Sequence, residues 1–115
     1  MRIEFIDRLT RRQTNESSAF TVVAKFYDDS TEVWTASTPT SVRYRVDDGN
    51  YPVRGWTTGT PGTSLTINLT YSDNAIISDC SQIEQKTLTV QCDTGLSTQY
   101  QGTYTWSVKN LGGQV

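Results

Sequence analysis

The strongest constraint on this 115-residue chain is a repeated alternation of apolar and polar residues. Phe20, Val22, Ala24 and Phe26 interleave with Thr21, Val23, Lys25 and Tyr27, and the same pattern returns in Leu65, Ile67 and Leu69. It returns again in Leu88, Val90 and Cys92, and in Tyr104, Trp106 and Val108. An extended backbone sends successive side chains to opposite faces, so each set lies along one side of a ribbon; no stretch keeps the spacing of an amphipathic helix for long. The pattern predicts strands over 2–7, 19–27, 42–46, 53–58, 65–70, 83–93 and 102–110, with Ile3 and Phe5 sharing a face of the first. A short irregular strand carrying Trp34 is expected over 32–35.

The breaks between these runs carry turn chemistry. Asp28-Asp29-Ser30, Thr38-Pro39-Thr40, Asp47-Asp48-Gly49-Asn50 and Gly59-Thr60-Pro61-Gly62 each combine residues that bond their own backbone or preset a turn. Gly95 to Thr98 is expected to close a hairpin. Between Tyr71 and Gln82 the alternation stops, and Ser72 to Ile77 reads as a single helical turn capped by Ser72 or Asp73, carrying the chain between sheets. About seven strands at such spacings describe an all-β immunoglobulin-like Greek-key β-sandwich, with a small barrel as the competing architecture. The length suits one domain spanning 1–115.

Composition removes several functions. The chain has no histidine, and with it go the commonest general base and the commonest metal ligand. A nucleophilic Ser, Thr or Cys then has only Lys25, Lys86 and Lys109 as basic partners, so an enzyme is not expected. A net charge of −2 with dispersed Arg and Lys does not provide the cationic face that phosphate binding requires, so nucleic acid is not an expected partner. Met1 to Asp7 alternates charged and apolar residues, so neither a secretion signal nor a membrane span is expected there. Cys80 and Cys92 read as reduced, packed thiols.

Some residues invite sharper readings. Asp47, Asp48 and Asn50 with Asp28 and Asp29 would make a Ca²⁺ site if they converged at one end of the sandwich, but turn chemistry is the expected role, and no cofactor or metal is expected. Trp106 and Tyr44 fall on apolar stripes and read as core. Trp34, Tyr51 and Tyr100 lie in or beside loops and are the aromatic candidates for partner contact. Arg8, Arg11 and Arg12 form a basic cluster between the first two strands, either a solvated loop or an arm that orders on an acidic neighbouring subunit.

The segments TSVRYRVDDGNYPVRGWTTGTPGTSLTINLTYSDNAI and EQKTLTVQCDTGLSTQYQGTYTWSVKNLGG resemble small immunoglobulin-like virion proteins of tailed bacteriophages. The resemblance rests on Tyr44 to Val46, Trp56-Thr57, Asp73 to Ile76, and Tyr104 to Trp106 with Lys109 to Leu111. It implies a structural or adhesive part of a virus particle assembled in bacterial cytoplasm, a homo-oligomer touching capsid or tail subunits. Head decoration is the preferred version, with neck and tail open. A carbohydrate or cell-surface binding module and a small host-directed regulator are the alternatives.

Overall fold

The computed structural model describes residues 1–7, 13–15, 18–49, 51–70, 73–75, 83–94 and 99–109. Among them nine strands form two sheets, and no helix occurs. β1 (Arg2–Ile6) pairs antiparallel with β3 (Phe20–Asp28), whose other edge takes β7 (Ser64–Leu69) and then β4 (Thr35–Ala36). Phe26 marks the handover between those two: its N–H donates to Thr63 at 3.0 Å and its carbonyl accepts from Ser37 at 3.0 Å. The second sheet runs β2 (Gln13–Asn15), β9 (Gln99–Lys109), β8 (Ile83–Asp93), β5 (Ser41–Asp48), β6 (Tyr51–Gly59). All its pairings are antiparallel except that of β2 with β9.

The alternation read from the sequence sets the inward faces. Val22, Ala24 and Phe26 of β3, Leu65, Ile67 and Leu69 of β7, Leu88, Val90 and Cys92 of β8, and Tyr104, Trp106 and Val108 of β9 are all buried in one cluster. Burying each of the larger apolar side chains contributes about 1.5–3 kcal/mol, which is what holds two otherwise wet sheets together. The sheets approach closely enough that a Cβ on Gly102 of β9 would lie 3.1 Å from Cβ of Ile3 in β1, so any larger residue there would push Ile3 and Phe5 aside. Asp48 pairs with Tyr51 across a tight hairpin in which Gly49 takes a left-handed φ of 56°.

Several details differ from the expectation. β6 begins at Tyr51 rather than Val53, because the hairpin is tight and pairing starts at once. Residues 30–33 form bends, and the strand near Trp34 is the two-residue β4 that follows it. β1 ends at Ile6 rather than Asp7, with Ile6 48% exposed on the face opposite Ile3 and Phe5. Tyr44 is only half-buried at the edge of the core. Asp73 and Asn74 form a turn whose cap runs backward: the Asp73 carboxylate accepts from the Thr70 amide at 2.7 Å, an upstream donor. Ser72, Ile76, Ile77, Cys80, Asn50 and Gly95 to Thr98 lie outside the described residues.

Candidate functional site: clamped aromatics outside, a polar cluster inside

The outward faces carry two tryptophans, each held by arginine. Trp34 is 46% exposed, within a run of exposed residues; the Arg2 guanidinium lies 4.2 Å from its ring centroid and the Tyr27 ring 6.2 Å away. Trp56 of β6 is 40% exposed on the outer face of the five-stranded sheet, with the guanidinium groups of Arg43 and Arg45 at 4.3 and 5.5 Å. Arg43 donates from Nε to Gln91 at 2.8 Å, and Gln91 donates to Gln101 at 3.1 Å, so a polar ladder crosses three strands beside the ring. Arg45 makes a two-pronged pair with Asp47, whose hydrogen bonds raise the guanidinium's pKa. Rigid aromatic faces backed by arginine are the side-chain combination that dominates binding energy at interfaces.

The sequence candidates are not gathered into one site. Trp34 stays a contact candidate. Tyr51 is 58% exposed but opens a strand at the hairpin beside Asp48. Tyr100 pairs with Cys92 and packs half-buried against the core, so its ring is largely committed to the fold. Arg8, Arg11 and Arg12 lie outside the described residues. Trp56 was legible in principle, because the outer stripe of Arg43 and Arg45 faces the neighbouring strand of the same hairpin.

The aspartate pairs sit at opposite ends of the molecule. Asp29 binds the amino group of Met1, whose Sδ lies 3.4 Å from Cys92 Sγ, while Asp48 binds Lys86. Residues 86 and 92 are six apart on β8, about 20 Å along an antiparallel strand. The convergence a Ca²⁺ site would need is therefore absent, and among the described residues no three metal-type ligands come together. Asp28 acts as a turn residue: it accepts the Ser30 amide at 3.0 Å, which lowers its pKa.

The unexpected feature is a polar cluster under the 73–75 turn. These three residues follow β7 of one sheet, and each is gripped by a different strand of the other. Asp73 makes a two-pronged pair with Arg54 of β6, and its Oδ2 also accepts from the Thr70 amide and hydroxyl. Arg54 reaches further to the Asn68 carbonyl at 3.1 Å and the Tyr44 hydroxyl at 3.4 Å. Partial burial opposes the Arg54 charge, but the bonds and charge of Asp73 outweigh it and the guanidinium's pKa rises. Asn74, fully buried, donates to the Ser18 carbonyl at 2.5 Å and accepts from Trp106 Nε1 of β9 at 2.7 Å. The Ala75 carbonyl accepts from Lys86 of β8 at 2.8 Å.

Lys86 is the outlier of the molecule, a lysine with no exposed surface. Its Nζ also donates to Asp48 Oδ2 at 2.9 Å and to Glu84 Oε1 at 3.4 Å, and Glu84 is itself buried. Comparison with protein-family models, with characterised proteins and with solved structures yields no significant match to this chain.

Proposed function

We propose that this chain is a non-catalytic contact module of a virus particle, the tailed-phage virion being the setting that its sequence resemblance implies. The observation that carries the reading is how the polar groups are used. The buried charges Asp73 and Lys86 hold one strand or turn to another, with the buried Glu84 beside Lys86, while the outer faces present Trp34 and Trp56 braced by arginine. Such a chain offers surface rather than a reaction centre. An immunoglobulin-like Greek-key sandwich is the topology we propose: the start of the chain contributes β1 to one sheet and β2, parallel to the last strand, to the other. Head decoration is the preferred location. Many copies on a lattice would let modest contacts of the Trp34 kind add up, and a homo-oligomer is the expected state.

A second reading, a carbohydrate-binding module, rests on Trp56. An indole on an open sheet face beside the Arg43–Gln91–Gln101 ladder offers a stacking surface with neutral amides for hydroxyl groups. Immunogold labelling of intact particles tests the first reading, and retardation of the monomer on glycan columns would favour the second. Gold spread over the head is the expected result; gold confined to neck or tail keeps the structural class and rejects decoration. Unlabelled particles beside abundant protein in the lysate reject the virion reading.

A further inference from the structure

Lys86, Asp48 and Glu84 have a geometry that goes beyond an ion pair. Lys86 lies directly across from Asp48 in the β5–β8 register and from Trp106 in the β8–β9 register, so its neighbours are a carboxylate on one side and an indole on the other. The Lys86 side chain has no solvent exposure, that of Glu84 has 7% and that of Asp48 19%. With Nζ 2.9 Å from Oδ2, a small rotation of the Asp48 carboxylate brings its Cγ to the ~3–3.5 Å of a near-attack arrangement. A second carboxylate, Glu84, stands 3.4 Å from the same nitrogen, within reach of its proton.

We infer that Lys86 and Asp48 are joined by an intramolecular amide bond, formed by the folded chain itself with Glu84 as the proton carrier. One ammonium proton passes by way of Glu84 to the Asp48 carboxylate, which leaves a neutral amine and a neutral acid. The Nζ lone pair attacks Cγ and a new C–N bond forms; the nitrogen then gives a second proton to Glu84, and one Asp48 oxygen departs as water after taking that proton from Glu84. Glu84 ends as it began, nothing is oxidised or reduced, and no co-reactant is consumed. Holding amine and acid in one pocket corresponds to an effective concentration of about 10⁵–10⁸ M, and the reaction replaces two charges that are costly to bury with one neutral amide. The exposed edge of Asp48 lets the water leave. The product is a covalent tie between β5 and β8, closing a segment that contains β6, β7 and the 73–75 turn.

The inference stands independently of the virion reading and is tested on the whole chain without any partner. Mass spectrometry of the denatured wild-type protein is expected to give a mass lighter than that of the sequence by one water. Proteolysis is expected to yield a branched peptide joining Asp48 to Lys86. Glu84→Gln and Lys86→Met are expected to restore the full mass. Because those variants also disturb folding, the wild-type peptide map is the deciding result. A wild-type chain of full mass, with Lys86 in a linear peptide, overturns the inference and leaves an ion pair. A chain lighter by one water with Lys86 still linear also overturns it, since Asp48-Gly49 can lose water by closing a succinimide on its own backbone.

Discussion

The inward face of β8 passes through two different environments. Toward its end, Leu88, Val90 and Cys92 join the apolar core cluster, with the sulfur of Met1 beside Cys92; toward its start, Glu84 and Lys86 occupy the same face, also buried, among carboxylates, a carbonyl and Trp106. One strand, one phase and two solutions to burial show that alternation decides which way a side chain points and not what it finds there. The apolar end is held by area, which tolerates change in proportion to volume lost. The polar end is held by matched partners, and removing one strands the others.

Changes at the two ends should therefore differ in kind as well as size. Asp73→Ala is expected to be the most damaging, about 3–5 kcal/mol by urea unfolding, because it leaves Arg54 without its counter-charge and the Thr70 amide without its acceptor where the turn after β7 meets β6. Leu88→Ala, one turn of the alternation from Lys86, is expected to cost about 2–4 kcal/mol as a cavity, with little dependence on salt. An equal response of both variants to salt would erase the distinction. Trp106→Phe keeps most of the ring and removes one donor; a loss of about 1–3 kcal/mol is expected from the stranded Asn74 carbonyl oxygen.

Cys92 gives the apolar end its own pH signature. Burial pushes its thiol above the ordinary value of 9.0, helped by Asp93 and opposed by the amino terminus. The folded chain thus keeps a proton that the unfolded chain gives up. This contribution is complete below pH 9.0 and is lost as the pH rises through that value toward the folded pKa. Denaturation midpoints of wild type and Cys92→Ala measured at rising alkaline pH should converge. The smallest effect is expected at the surface: Trp34→Ala should change stability by less than about 0.5 kcal/mol while removing a contact surface.

Much of the fold was legible because alternation is a local property. The inward residues of β3, β7, β8 and β9 followed from their spacing alone, as did the turn roles of Asp28 and Gly49. The burial of Glu84 and Lys86 did not, although both keep the phase of Leu88; residue type argued for solvent, and only the distant Asp48 and Ala75 supply what their burial needs. The outward turn of Trp56 follows from alternation once Val53, three residues earlier, is placed against the core, but a short strand closed by turn residues gave no apolar stripe to fix that phase. Tyr100, expected in or beside a loop, lies in β9, which already begins at Gln99, and packs half-buried against the core. Asp73 and Asn74 stood out in sequence as a crossover, but their partners on β6 and β9 are set by tertiary structure.

The contact-module reading is tested most directly by counting copies of this chain in purified particles, assembled with wild-type protein or with Trp34→Ala. The account expects many wild-type copies per particle and a marked fall for the variant, with the unbound variant still folded. Particles that carry none of the chain, with either protein, would contradict it.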